Sequence, residues 1–127
     1  MNEPTARVLD VGNCDPDHTN IRALLEDNFA VGIDRVMFVN EALAKLTDRA
    51  YSLVLVNRLI FDDGSDGGRL IREMQAGDRR EVPVMLISNY AEAQEKAVSD
   101  GAVRGFGKAV LDDPATVELL AAFLPRS

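Results

Sequence analysis

The chain has 127 residues, 46% of them hydrophobic and 28% charged, which suits one compact soluble domain and is too short for a catalytic domain plus a separate output domain. That balance excludes disordered, collagen-like and disulfide-scaffold classes. Fourteen Lys+Arg against 21 Asp+Glu give a net charge of −7, so duplex DNA and anionic membrane both repel the molecule as a whole, and a protein or a cation is the expected partner.

Cys14 is the only cysteine and His18 the only histidine, so neither an intramolecular disulfide nor a Cys/His zinc site is available. Residues 1–6 lack the basic and apolar regions of a secretion signal, and no apolar run approaches the ~20 residues of a membrane span. Residues 1–127 therefore read as a single cytoplasmic domain without repeats or linkers.

In chain order, residues 8–11 form a short apolar strand interrupted by Asp10. Asp15, Pro16 and Asp17 put carboxylates and a proline at the start of a first helix, whose inner face is Ile21, Leu24, Leu25 and Asn28. A strand is expected over residues 35–39, then a helix carrying Ala42, Leu43 and Leu46 inward. Leu53, Val54, Leu55 and Val56 are continuously apolar and β-branched-rich, as are residues 82–87; such runs fit strands buried on both faces of a parallel sheet. Between them Leu70, Ile71 and Met74 mark a third helix that stops at Gly77. A polar helix over residues 91–99 presents Ala93, Ala97 and Val98 on one face and stops at Gly101. Residues 103–106 make a last strand, and Asp112, Asp113 and Pro114 open a final helix with Val117, Leu120 and Leu124 inward. Five strand–helix alternations with short connections predict a doubly wound five-stranded parallel sheet with helices on both faces. Sites on such sheets lie beyond the strands' carboxyl ends, here residues 12–15, 57–67, 88–90 and 107–109.

Five pieces in order carry a resemblance that spans nearly the whole chain. They are residues 7–17 with their acidic cluster and Pro16, residues 52–57, residues 66–74 beginning Asp66-Gly67, residues 82–88 ending in Ser88, and Gly101-Ala102 followed by Gly107-Lys108. Together they resemble the receiver domain of two-component response regulators, a flavodoxin-like fold. The resemblance implies an aspartate nucleophile that accepts a phosphoryl group from a histidine kinase. It implies a carboxylate pair after the first strand that, with that aspartate, holds Mg²⁺. It also implies a lysine and a Ser/Thr hydroxyl on the phosphoryl oxygens, and an aromatic residue that follows the hydroxyl inward.

This sequence departs from that pattern at several points. Asn57 stands at the nucleophile position, and an amide oxygen is a poor nucleophile. Anchoring on Pro16 puts Asn13 and Cys14 at the carboxylate pair, whereas anchoring on the strand puts Gly12 and Asn13 there. Neither alignment supplies two carboxylates, and Asp15 is the one acidic neighbour. Ser88 and Lys108 are retained, and Lys108 is expected to donate to the Asn57 amide oxygen. The aromatic position is Gly105, with Phe106 one residue later facing the other way. Ala109 replaces the proline after the lysine, and residues 57–67 are about two longer than the family's spacing.

Plainer readings stand beside these. Asn57 caps its strand and bonds the following loop; Cys14 is a small, partly buried filler; His18 is a solvated surface histidine. The Asp62-Asp63-Gly64-Ser65-Asp66 run is an ordinary acidic turn, since it lacks the ligand spacing of a calcium loop. Asp10 either marks a bulge or pairs with a base that the sequence does not identify. The expected function is a receiver-like module of phosphorelay signal transduction that binds a signalling protein, such as a histidine kinase or another regulator, without phosphorylation, cofactor or catalytic residue. The alternative is a conventional Mg²⁺-dependent phosphoacceptor using Asp15, Asp62 or Asp63. A flavin- or nucleotide-binding domain is a third reading, weakened by the lack of a glycine-rich loop after the first strand. Oligomeric state is left open.

Overall fold

The computed structural model describes residues 6–127. Five parallel strands, β1 (Ala6–Val11), β2 (Val31–Val36), β3 (Leu53–Asn57), β4 (Val84–Ile87) and β5 (Val103–Phe106), form one sheet in the order β2-β1-β3-β4-β5. The connections leaving β1 and β3 run in opposite directions across the sheet, which makes the carboxyl ends of these strands a topological switch point. Five helices connect and cover the sheet: α1 (Asp15–Asn28), α2 (Val39–Asp48), α3 (Gly68–Ala76), α4 (Ala91–Ser99) and α5 (Pro114–Ala121).

Alternation along each strand divides the core into two layers. Val8, Leu53, Leu55, Met85, Ile87 and Phe106 point toward α1 and α5, where they meet Ile21, Leu25 and Leu120. Leu9, Val11, Val54, Val56, Val84 and Leu86 point the other way, onto Ala42, Leu46, Leu70, Ile71, Met74 and Ala97 of α2, α3 and α4. All four residues from Leu53 to Val56 are fully buried, so the apolar run reflects a central strand with both faces covered. Each such side chain stabilises the fold by roughly 1.5–3 kcal/mol relative to exposure.

The second strand lies four residues earlier than the sequence pattern places it. The apolar residues 36–39 attracted that assignment, but only Val36 belongs to β2; Val39 opens α2, whose first turn is capped by Glu41 accepting from the amides of Met37 and Phe38. β2 pairs only with β1, and an edge strand with polar Asp34 and Arg35 has weak alternation to read. The fourth helix also differs: Val98 is exposed, while Gln94 is buried beside Ala97. β1 carries no bulge, its pairing with β2 and β3 running residue by residue. Among the described residues no helix is long and apolar enough to cross a membrane.

Candidate functional site

Asn57 is the last residue of β3, and its side chain enters a cleft of about 210 Å³ lined by Asn57, Arg58, Leu59, Ser88, Tyr90 and Lys108, among others. The fold thus brings Asn57, Ser88 and Lys108 to one place, as the retained pattern predicts. Their hydrogen bonds differ from the expected ones. The Asn57 amide nitrogen donates to Leu59 O at 2.7 Å and to Gly12 O at 3.4 Å, so the residue caps its strand and holds the next loop. Lys108 Nζ does not reach Asn57; it donates to Asp17 Oδ2 on α1 at 2.6 Å. The hydrogen bond from Lys108 holds the Asp17 carboxyl below the usual carboxylate range, against the opposing effect of partial burial.

The loop after Asn57 is a small hairpin over the strand ends. Leu59 bridges Asp66 in antiparallel fashion, Ile60 N donates to Ser65 O, and Gly64 turns the tip at φ +69°. Ile60 is buried, and Phe61 N donates to Gly12 O, which ties the hairpin to the end of β1. The extra loop length is therefore spent on pinning the loop down. Asp63 accepts from Ser65 N; Asp66 accepts from Gly68 N and pairs with Arg72. These are turn and ion-pair roles, in keeping with an acidic turn.

The residues after β1 point away from the cleft or into the core. Gly12 has φ +83° and abuts Ile60, a conformation that suits glycine. Asn13 is fully buried and donates to Asp10 Oδ1 at 2.6 Å. Cys14 is the half-buried N-cap of α1. The Asp15 side chain is 89% exposed and pairs with Arg35 at 2.8 Å. Asp10 itself is fully buried, and its Oδ2 lies 2.5 Å from His18 Nδ1. His18 is thus the base that Asp10 pairs with, and it is largely buried, not a solvated surface histidine. The pairing joins β1 to the first turn of α1, eight residues apart.

The Mg²⁺ implied by the resemblance does not fit this donor set. A hard divalent cation takes several anionic or carbonyl oxygens around one point. Here Asn13 serves Asp10, Asn57 offers an NH₂ already bonded to two carbonyls, and Asp15 turns to Arg35. Among the described residues no group of three His, Cys, Asp or Glu converges as a metal site.

Around the retained serine the polar groups serve the backbone. Ser88 Oγ accepts from Tyr90 N at 3.1 Å, and Asn89 Oδ1 accepts from Ala109 N at 3.1 Å. Arg58 stacks over the exposed Tyr90 ring, 5.1 Å from its centroid. Phe106 is buried toward α1 and α5, as its position one residue late requires. A second, larger groove of about 680 Å³ runs between α1 and the β5–α5 connection, and Lys108 stands in the wall between the two spaces.

No family model and no curated protein sequence matches the chain. Solved structures do. The receiver domain of NtrX from Brucella abortus is 27% identical, with a TM-score of 0.69 over 91% of this chain and 94% of that one. A crystal structure of NtrX itself is 24% identical with a TM-score of 0.72; this chain covers only 25% of it. The receiver domain of the Francisella response regulator 1452 is 16% identical, with a TM-score of 0.77 over 94% of this chain and 97% of that one. The protein has the receiver fold, and the solved structures it resembles include response-regulator receiver domains.

Proposed function

We propose that this receiver-fold domain signals by binding a protein partner, such as a histidine kinase or another regulator, with no phosphoryl transfer and no cofactor. The observation that carries this reading is the Asn57 side chain, which ends β3 at the acceptor position with its NH₂ donated to two backbone carbonyls. A carboxylate at that point would face the same carbonyl oxygens without a donor. Lys108, the cation that would neutralise a phosphoryl group, is engaged by Asp17. The aspartates of the alternative reading are badly placed: Asp15 is exposed on Arg35, and Asp62 and Asp63 occupy an exposed hairpin tip. The resemblance to receiver domains points to the face formed by α4, β5 and α5 for recognition, and the acidic balance of the chain suits a basic partner surface.

The test is binding to the dimerisation and phosphotransfer domains of histidine kinases from the same genome, measured by calorimetry with and without Mg²⁺ and acetyl phosphate. Binding of equal affinity in both conditions is expected. Binding that appears only with the phosphodonor, or binding to none of them, overturns the proposal.

A further inference from the structure

β4 and β5 do not pair evenly. Met85 opposes Val103 and Ile87 opposes Phe106, so β5 carries one extra residue between these pairs. Such a bulge leaves backbone groups without ladder partners, and buried groups left this way are costly. One side chain of α4 bonds the backbone groups around this bulge. Gln94, only 4% exposed, accepts from Gly105 N through Oε1 at 2.9 Å. Its Nε2 donates to Leu86 O at 2.8 Å, to Ser88 O at 3.1 Å and, at longer range, to Phe106 O at 3.5 Å. The amide is oriented without ambiguity, because three carbonyls face one end and an N–H faces the other.

Gly105 completes the arrangement. A Cβ at this position would overlap Leu86 O, so only glycine lets the bulged strand approach β4 closely enough for Gln94 to reach both. At the end of α4 its C-cap Asp100 pairs with Arg72 of α3 and with Lys96 of the helix itself. The helix is therefore fixed inwardly to two strands and laterally to α3.

We infer that Gln94 acts as a surrogate ladder segment that fastens α4 to the bulged β4–β5 edge, so that the α4–β5 face exists in a single preset arrangement. Sliding or rotating α4 breaks the buried bonds of Gln94 together and strands the Gly105 N–H and the Leu86 carbonyl away from water. The inference concerns regulation of the binding face and rests on the reading above only for the use of that face.

The experiment is amide hydrogen exchange and ¹⁵N relaxation dispersion on the wild-type chain and on Gln94→Leu and Gln94→Met. The wild type is expected to show a protected Gly105 amide and no microsecond–millisecond exchange across residues 84–106. Either substitution is expected to lower Gly105 protection on the order of 10-fold and to introduce exchange in α4 and β5, with protection in β1 and β3 retained as the folding control. A freely exchanging Gly105 amide or an exchange-broadened α4–β5 region in the wild type overturns the inference. So does a variant that folds and leaves both readouts unchanged. Because neither readout involves phosphate or partner, a failure here is separate from a failure of phosphorylation-independent binding.

Discussion

Lys108 Nζ and Asp17 Oδ2 meet at 2.6 Å across 91 residues of sequence, and this pair decides where the only lysine near the strand-end cleft directs its charge. Asp17→Asn removes the anionic partner while keeping the side chain's shape. Both side chains are about one-third exposed, so the loss of stability is expected to be small, about 0.5–1 kcal/mol. The informative readout is the ε-methylene resonance of Lys108, expected to lose its restricted environment. Its persistence would mean that some other group holds the lysine.

The Asp10 and His18 pair is expected to weigh far more, because Asp10 is fully buried. Removing the base in His18→Ala leaves a buried carboxylate with Asn13 as its remaining partner, at a cost of about 3 kcal/mol or more. The double variant Asp10→Leu/His18→Leu removes both charged or chargeable groups and is expected to be more stable than His18→Ala. Urea denaturation of both variants and the wild type checks this; additive losses in the double variant would contradict a coupled pair.

Acid sensitivity is expected to centre on Asp34, which accepts from Arg7, Arg49 and Tyr51 at the sheet edge. Partial burial opposes its ionisation, but the hydrogen bonds from Arg7, Tyr51 and Arg49 outweigh that effect and hold its carboxyl far below the usual range. The folded state therefore binds fewer protons than the unfolded state below about pH 4, so this stabilisation is complete above that pH and is lost as pH falls. Asp34→Asn is expected to lower stability at pH 7 and to flatten its decline between pH 4 and 2. An unchanged acid limb in thermal unfolding would remove Asp34 from the account.

Two glycines separate close packing from backbone conformation. Gly105→Ala drives a Cβ into Leu86 O, whereas Gly64→Ala meets no atom but keeps φ +69°. The first is expected to cost more than 2 kcal/mol and to disturb the α4–β5 region; the second is expected to cost about 1 kcal/mol, confined to the hairpin tip. Equal costs in chemical denaturation would argue against the tight β4–β5 approach.

What was legible in the sequence follows from locality. The run Leu53 to Val56 announced a central strand because burial on both faces writes itself into consecutive residues. Pro16 and Pro114 marked helix starts because their effect is confined to one turn. The position of the second strand is hard to read because an edge strand needs no continuous apolar run. The cleft's composition is readable from Asn57, Ser88 and Lys108, but its bonding is not: Lys108 turns to a residue on α1, and nothing in local spacing marks Asp17. His18 reads as a surface histidine because its partner lies across a strand–helix junction. Gln94 looks like one polar residue of a polar helix, since its role arises from a bulge that exists only once β4 and β5 pair. A glutamine three residues before a buried alanine, opposite a Gly-Phe-Gly strand end, is the signal that was present.

The proposed function requires that this receiver-fold domain accept no phosphoryl group. Intact mass spectrometry after incubation with Mg²⁺ and acetyl phosphate, on the wild type and on Asn57→Asp, tests it most directly. The wild type is expected to gain no phosphoryl group, and Asn57→Asp none either, because Asp15 turns to Arg35 and Lys108 is held by Asp17. A phosphoryl adduct on the wild-type chain, mapped to any aspartate, would contradict the account; an adduct on Asn57→Asp alone would leave the wild-type reading intact but show that the remaining site can still support transfer.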